Sequence, residues 1–482
     1  ETMEPGKPLS FLDAHIQCGN SLIGVTPRLD ISEIPDDAFQ PVTGDDKTTA
    51  TGLRRRNKKE REGQIAFQFG DGETPGSTER HAGKRAQMVA AIEDLAEDGV
   101  AQVAAKEQSY AEYLQSTEYK WARWEADTWT AAFFWPIPEG DPASTAAPTQ
   151  EVLRTVRAGK LKQHDALLRE VRRMAKQHQF FHWALQFPDV FTVTSHMSRV
   201  TGDASRVTRD RPGFDVILMN PPWERIKLQE KEWFAARSPA IASASNAAER
   251  KRMIATLKAE DPALWQAFQE DVRGAESESH FIRNSGHYPL CGRGDVNTYT
   301  VFAELVRQVL SASGRVGIIV PTGIATDDTT KYYFQDVMES GALASLYDFE
   351  NRLAIFPGVH RSYKFCLLTL RGEAENAGKA AEFIYFALDV DDLRDEERRF
   401  SLTADEIALL NPNTRTCPIF RSKRDAGITK SLYRRVPIWK HSTSPGGLWG
   451  VQFARMVDPF SGKWNMYPAT TTTVEYTGNG AY

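Results

Sequence analysis

The chain has 482 residues, and its 59 lysines and arginines against 64 aspartates and glutamates give a formal net charge of −5. Hydrophobic residues make up 41% of the sequence, which excludes wholesale disorder and collagen-like repeats and allows roughly two to four domains. The longest strongly apolar stretches fall far short of the roughly 20 residues of a membrane span, so we expect no membrane helix. Slight acidity argues neither for nor against nucleic acid, because phosphate binding depends on local patches.

The cysteines and the first residues bear on the cellular compartment. Cys18, Cys291, Cys366 and Cys417 are too few and too scattered for a disulfide scaffold or a CxxC zinc site. Residues 1–10 contain no basic segment followed by an apolar one, so no secretory signal is visible. Both observations favour a reducing, cytoplasmic location.

The first half of the chain reads mostly as helices. A short apolar segment at Pro8–Gly24 precedes a polar stretch from Asp30 to Arg80, which we interpret as a long linker. The basic run Arg54–Lys59 then falls in a loop. Spaced apolar residues among charges predict helices in Gly83–Trp129 and Gln150–Gln186.

The second half alternates between strands and helices. Phe214–Met219 is a short apolar run bounded by Pro-Gly and Asn-Pro-Pro, which is typical of a buried parallel strand. Helical sequence follows in Glu224–Gln269 and again in Asn297–Leu310, where we expect Gly314 to end the helix. Further strands are expected at Val316–Val320, Ala344–Phe349 and Lys364–Leu370, the last two as a late hairpin. This alternation predicts an α/β fold.

Asn220, Pro221, Pro222 and Trp223 form the most specific motif in the sequence. From ordinary residue frequencies, Asn-Pro-Pro-aromatic is expected by chance in roughly 0.005 chains of this length. The motif could be only a turn that ends a strand. However, ligands of open α/β sheets bind beyond the carboxyl ends of the strands, where Asn220 would lie.

This loop suits methyl transfer to an exocyclic amine of adenine, which is a poor nucleophile because its lone pair is delocalised into the ring. The Asn220 amide oxygen and the Pro221 carbonyl can accept its two N–H groups and favour a nitrogen whose lone pair is free. The prolines hold the backbone rigid, and Trp223 offers a flat face for the base. The base must first leave the duplex.

With this motif the sequence resembles the gamma-class DNA N6-adenine methyltransferases, of the large kind found in fused restriction-modification enzymes and in phage-defence systems such as BREX and DISARM. The resemblance implies S-adenosylmethionine as cofactor. Asn20, within Cys18–Leu22, matches the third-motif position that holds the cofactor's adenine, although Asp is commoner there. Phe302, within Thr298–Glu304, matches the fifth-motif phenylalanine that packs on that adenine, and Phe356 matches the eighth-motif aromatic that stacks on the flipped base.

The resemblance also implies a fold and a division of the chain. We expect a partial Rossmann-like methyltransferase sheet with large helical insertions. The expected parts are a core segment at 1–24, a helical insertion at 25–210, a catalytic core at 211–400 containing a second insertion at 224–295, and the start of a target-recognition region at 401–482. The glycine-rich first motif and the acidic residue that would hold the ribose are absent. We expect them, with the missing strands, upstream of Glu1, or else lost.

A basic segment in the last part of the chain is the candidate DNA-binding surface. From Asn411 to His441 there are eight basic residues against Asp425 alone, a balance of +7. Such a run can follow phosphates, although charge runs are often only solvated surface. The candidate DNA contacts are Arg415, Arg421, Lys423, Arg424, Arg434 and Arg435. We read the HxxxH pair His178 and His182 as helix surface and propose no metal.

The expected activity is therefore methylation of adenine N6 in duplex DNA within a restriction-modification or phage-defence system, alongside fused or separate subunits. Two alternatives remain open. One is a protein or RNA methyltransferase that shares the Asn-Pro-Pro-Trp loop, although such enzymes are compact and this chain carries long insertions. The other is a degenerate methyltransferase domain that acts as a DNA-binding subunit.

Overall fold

A computed structural model describes residues 8–67, 77–142, 145–160, 166–192, 212–373 and 378–436. Its centre is a six-stranded mixed sheet with the strand order β1-β2-β4-β3-β5-β6. The strands are β1 (Phe214–Met219), β2 (Leu310–Val320), β3 (Leu343–Glu350), β4 (Lys364–Arg371), β5 (Ala381–Ala387) and β6 (Phe400–Leu402).

The strand directions bring four carboxyl ends to one edge of the sheet. Strand β1 is parallel to β2, and β3 is parallel to β5. Strand β4 lies antiparallel between β2 and β3, so that β1, β2, β3 and β5 all point the same way. The prediction of an α/β fold with a partial Rossmann-like sheet and large helical insertions is confirmed.

Helices flank this sheet and form long insertions before and after β1. Before β1 lie α1 (Lys47–Phe67), α2 (Ser77–Glu93), α3 (Val100–Gln115), α4 (Thr117–Ala131), α5 (Gln150–Arg157), α6 (Ala166–Gln177), α7 (Trp183–Gln186) and α8 (Pro188–Phe191). Between β1 and β2 lie α9 (Glu230–Ala235), α10 (Pro239–Ala242), α11 (Ala247–Glu260), α12 (Pro262–Asn284) and α13 (Thr298–Val309). The remaining helices are α14 (Gly323–Thr326), α15 (Lys331–Glu339), α16 (Ala404–Leu410) and α17 (Lys423–Arg435).

Two apolar clusters hold these layers together. The first lies on one face of the sheet, where alternate residues of β2, such as Val316 and Ile318, pack against α13 and α15. The second joins the N-terminal residues Leu22 and Ile23 to helices α4, α12 and α13. Because Ile217 of β1 contacts both clusters, the insertions and the sheet share one continuous interior.

The interpretation of 30–80 as a linker is wrong over its central part. Helix α1 buries Ala50 and Leu53 completely and therefore packs as a folded element. The basic run lies in this helix and not in a loop. Arg54 pairs with Asp37 at 2.5 Å, and Arg56 pairs with Glu60 at 2.8 Å. Because α1 contains many charged residues, its narrow apolar face is not recognisable in the sequence.

Strand β1 forms where the sequence predicts it, but it is not a buried strand. Val216 and Leu218 are 65% and 79% exposed, since no described element covers their side of the sheet. Gly314 also differs from its prediction. The helix ends at Val309, and Gly314 lies inside β2 at a register shift, where its backbone approaches the Phe214 carbonyl oxygen too closely for a side chain.

None of the described helices is both long enough and apolar enough to cross a lipid bilayer.

Candidate functional site

The candidate site lies at the edge of the sheet where β1, β2 and β3 end and β4 begins. Three loops meet there, at residues 220–223, 321–327 and 351–363. Crevices outside the carboxyl ends of such strands are the usual ligand sites of open α/β sheets.

The Asn-Pro-Pro-Trp loop continues directly from β1. Met219 pairs with Ile318 of β2, and Asn220 is the first residue beyond that pairing and is exposed. Pro221 is buried, and Pro222 is exposed. Asn220 is therefore an exposed residue that directly follows the end of β1, and two prolines restrict the backbone after it.

Thr298, at the start of α13, fixes the far end of this loop. Its hydroxyl donates to the Pro222 carbonyl at 2.6 Å and accepts from the Glu224 N–H at 3.1 Å. The Thr298 N–H donates to the Glu224 carbonyl at 2.8 Å. Among the described residues, none donates a hydrogen bond to the Pro221 carbonyl. The two proline carbonyls thus differ, because the Pro222 carbonyl accepts a hydrogen bond from Thr298 and the Pro221 carbonyl accepts none from the described residues.

Trp223 and Phe356 pack against the same small apolar cluster, which includes Phe349 and Phe365. Both side chains are half-buried, and the Phe356 ring meets Phe365 edge-on at 5.1 Å between centroids. The Trp223 indole N–H is buried without a hydrogen-bond partner in the described structure. The fold therefore brings the two candidate aromatic faces to one cluster.

The loop that carries Phe356 is held by the fully buried Asn351. The Asn351 amide accepts from the Phe356 N–H at 3.0 Å and donates to the carbonyls of Phe356 and Val359 at 3.0 and 2.9 Å. Sequence reasoning missed Asn351, because its role depends on a turn of the backbone around it and no local pattern marks it.

A cavity of about 270 Å³ opens at the same edge of the sheet. At its wall the Asp348 carboxylate accepts from the Thr322 hydroxyl and, at 3.1 Å, from the Phe386 N–H. Burial raises the pKa of Asp348 above its usual value, and Lys364 opposes this rise. Phe386 has a φ of 62°, in the left-handed region, which marks it as a constrained residue. The cavity is lined by Tyr299, Pro321, Thr322, Gly323, Thr326, Asp327, Asp348, Lys364, Tyr385, Phe386 and Ile419.

Asn20 and Phe302 are not among the residues that line this cavity. The Asn20 amide donates to the Glu278 carboxylate at 3.4 Å and accepts from the Leu22 N–H at 3.3 Å. Phe302 packs against the second apolar cluster, which contains Leu22. Burial raises the pKa of Glu278, a polar residue beside Asn20 that sequence reasoning missed because it belongs to a charged helix.

The predicted cofactor fits these residues only in part. Asn20 contacts Glu278, and Phe302 packs against the second apolar cluster, so a polar pair and an aromatic ring are present, which are the kinds of group that contact an adenine. No segment of the sequence matches the glycine-rich first motif that would hold the methionine end.

The candidate DNA contacts group around α17. Lys423, Arg424, Arg434 and Arg435 lie on this helix and are exposed. The Arg421 guanidinium lies over the Phe386 ring at 4.7 Å, which connects the start of the helix to the cavity.

Three members of the basic run form ion pairs within the fold, among them Lys430, which pairs with Glu406 at 3.1 Å. Arg415 pairs with Glu339 at 2.6 Å, and Arg434 contacts Glu406 at 3.3 Å. Lys440, the last basic residue of the predicted run, and the rest of the 401–482 region beyond Val436 lie outside the described residues.

The interpretation of His182 as helix surface is wrong. His182 is 2% exposed, and its Nδ1 accepts from the Val25 N–H at 3.1 Å. Its Nε2 therefore carries the proton and donates to the buried Asp127 carboxylate at 2.8 Å. Through these two hydrogen bonds, His182 links Val25 of the N-terminal segment to Asp127 of helix α4. The role of His182 is therefore structural.

Comparison with known proteins gives weak similarities. No family model matches the chain, and no curated protein matches it. A methyltransferase subunit of a type I restriction-modification system from Streptococcus thermophilus is 14% identical, with a TM-score of 0.25. The match covers 55% of this chain and 50% of the other, so this chain spans about half of that protein.

Two further solved structures are similar at the same level. A structure of a type I restriction-modification system is 12% identical over 82% of this chain and 96% of the other, with a TM-score of 0.24. A modification subunit of a putative type I restriction enzyme from Vibrio vulnificus is 10% identical over 74% and 60%, also with a TM-score of 0.24. These similarities do not assign the chain to a family, and its function is therefore argued from its own residues.

Proposed function

We propose that this chain methylates the N6 amine of an adenine flipped out of duplex DNA, as part of a restriction-modification or phage-defence system. One observation carries the proposal. At the carboxyl end of β1, the exposed Asn220 stands beside a Pro221 carbonyl to which none of the described residues donates, while Thr298 occupies the Pro222 carbonyl.

The two acceptors match the two hydrogens of a primary amine on an aromatic ring. When an amide oxygen and a carbonyl oxygen accept both N–H groups, the amine nitrogen becomes pyramidal. Its lone pair is then localised on nitrogen and is no longer delocalised into the ring. The proline backbone and the Thr298 hydrogen bond hold the acceptors in place before the substrate arrives, so that little ordering is needed during reaction. S-adenosylmethionine would supply the methyl group.

The flanking aromatic side chains support a base as the substrate. Trp223 and Phe356 pack against one cluster beside the loop, and Asn351 holds the Phe356 backbone in place. A flipped base is ordinarily read by hydrogen bonds to its edge and by stacking on such side chains. Stacking on Phe356, as the family resemblance suggests, is part of this proposal.

The exposed basic side chains of α17 supply the contacts that duplex DNA requires. Lys423, Arg424 and Arg435 lie within one helix, and Arg421, two residues before that helix, lies over Phe386 in the wall of the cavity at the sheet edge. Phosphate contacts of this kind position a duplex without reading its sequence. Restriction or defence subunits, fused or separate, are the partners we propose.

Replacement of Asn220 tests the proposal. Loss of one preorganised polar contact to a transition state lowers rates by about 10² to 10³. We therefore expect Asn220→Ala to lower the methylation rate of adenine in plasmid DNA by that factor and to leave DNA affinity within about twofold. The measurement is single-turnover methyl transfer by the complete gene product, with fluorescence anisotropy for DNA binding.

Asn220→Asp is the matched control, because it keeps an acceptor oxygen at the same position. It should retain more activity than Asn220→Ala. A rate for Asn220→Ala within threefold of the unaltered protein, at equal folding, contradicts the assignment. If the unaltered protein binds DNA but transfers no methyl group, the alternative of a degenerate domain that only binds DNA is favoured.

A further inference from the structure

Arg85, on helix α2, is a buried arginine that the carboxylates of Glu125 and Glu118 attract, although no described residue forms an ion pair with it within 4 Å. Its side chain is 3% exposed, and Nε and Nη1 make no hydrogen bond in the described structure. Burial lowers the pKa of Arg85, yet an arginine remains charged in proteins. A buried, unpaired cation is strongly unfavourable, so such a group points to a ligand that completes it.

Arg85 lines a cavity of about 220 Å³ in the helical insertion, among residues of helices α2, α4 and α5. Water occupies about 30 Å³ per molecule, so this space could hold roughly seven waters or a small organic molecule. Trp121, Ala122 and Val156 supply an apolar wall from helices α4 and α5. The rest of the lining is Arg85, Thr117, Glu118, Glu125, Arg157, Ala158 and Gly159.

The charged side chains around the cavity favour a ligand that carries a single negative charge. Glu125 accepts from Arg157 Nε at 2.5 Å, and Glu118 is paired with Lys84. The charged lining therefore holds two carboxylates and two guanidinium groups, and both carboxylates attract Arg85, but each carboxylate has another cation within 4 Å and Arg85 has no such ion pair among the described residues. A dianion would lie close to both carboxylates and would be repelled by them.

Buried neighbours of Arg85 extend the polar region. The Tyr113 hydroxyl has no hydrogen-bond partner in the described structure, and the Arg85 charge acts on the pKa of Tyr113, lowering it against the dominant effect of burial. A ligand oxygen at Arg85 would place an acceptor near a second unused donor.

We propose that this cavity binds a small monocarboxylate with a short apolar chain, its carboxylate on Arg85 and its chain against Trp121 and Val156. Neither the methyl-transfer proposal nor the DNA contacts involve these residues. The site is therefore a second ligand site, in the helical insertion.

The test uses the whole chain and three probes. Butyrate, its neutral analogue butyramide and inorganic phosphate are titrated at constant ionic strength, and binding is followed by saturation-transfer NMR. We expect saturable millimolar binding of butyrate and at least tenfold weaker binding of butyramide and of phosphate. Butyramide binding as tightly as butyrate, or phosphate binding more tightly, would overturn the proposal without any variant.

Arg85→Met provides a second line, because it removes the charge and keeps the volume. Butyrate binding should be lost, and the ligand-free variant should melt above the unaltered protein because an unpaired buried charge is gone. Arg172→Met, which removes an exposed arginine lying over Trp124, is the matched control and should leave butyrate binding unchanged. Equal loss of butyrate binding in both variants would contradict the site.

Discussion

The Thr298 hydroxyl donates a hydrogen bond to the Pro222 carbonyl, whereas the neighbouring Pro221 carbonyl has no donor among the described residues. The hydroxyl also accepts from the Glu224 N–H, so the loop is anchored just beyond the proposed catalytic acceptors. Its effect on chemistry would be indirect, since it touches the loop and not the substrate. Thr298 is in that sense a positioning residue.

We predict that Thr298→Val lowers the methylation rate by roughly tenfold to a hundredfold while DNA affinity stays nearly unchanged, because small misplacements of reacting groups have effects of that size. Thr298→Ser keeps the hydroxyl and should restore most of the rate. The measurement is single-turnover methyl transfer beside DNA anisotropy. A serine variant as slow as the valine variant would show that the hydroxyl is not the relevant group.

His287 is a second residue whose surroundings matter, because its burial determines its pKa. It is 2% exposed, and both ring nitrogens lack hydrogen-bond partners among the described residues. Burial, with a smaller repulsion from His182, lowers its pKa to about 3. The folded protein thus binds this proton more weakly than the unfolded chain does, where the pKa is 6.5.

This difference predicts an acid-sensitive stability. The contribution of His287 is fully present above pH 6.5 and is lost progressively as the pH falls toward 3. We expect the unaltered protein to lose about 1.4 kcal/mol per pH unit more than His287→Phe across this interval. Urea unfolding at pH 7, 6, 5 and 4.5 measures it. Parallel pH profiles for the two proteins would rule out His287 as the source.

At the scale of whole elements, the backbone of the N-terminal segment at residues 23–25 lies directly against the backbone of residues 181–183. The Phe181 N–H donates to the Ile23 carbonyl at 2.8 Å, and the Trp183 N–H donates to the Val25 carbonyl at 3.0 Å. Between them, Gly24 has a φ of 146°, and a Cβ there would lie 2.0 Å from the Phe181 carbonyl oxygen. Only glycine permits this approach of two backbones.

We predict that Gly24→Ala lowers the free energy of unfolding by at least about 1–3 kcal/mol, as expected for overpacking. Gly274→Ala is the matched control in α12, where a Cβ would meet no atom within 4 Å. It should stabilise the protein by about 0.4–1 kcal/mol. Urea unfolding midpoints compare the two variants, and equal shifts would contradict the argument from close approach.

The elements also show how far sequence reasoning reaches. The bounds of strand β1 and helix α13 agree with the sequence prediction nearly to the residue, because breakers bound the apolar run of β1 and a helical apolar face marks α13, although Gly314 does not end that helix. Strand β5 was missed although Phe383–Phe386 is an apolar run, and β6, with three residues, carries too short a signal. The bond of Thr298 to Pro222, and Asn351 within its loop, depend on tertiary packing, which no local pattern contains.

At the scale of the molecule, the two faces of β1 have opposite surroundings. Ile217 and Met219 turn toward the apolar clusters, while Val216 and Leu218 turn outward and are 65% and 79% exposed. On the neighbouring strand, Arg315 and Gly317 lie beside them in register. Among the described residues, β1 is also the last strand on its side of the sheet.

We expect this strand, which is uncovered among the described residues, to promote self-association of the chain. Unpaired backbone groups beside exposed apolar side chains form a template for pairing with another molecule's strand, and native proteins commonly block such edges with lysine. We predict that Leu218→Lys slows the growth of light scattering in concentrated solution several-fold and changes the free energy of unfolding by less than about 0.5 kcal/mol. Ile217→Lys, one residue away on the covered face, should instead unfold the protein. The difference between these neighbours, measured by static light scattering and urea unfolding, would show that the solubility of the chain is governed by one side of a single strand.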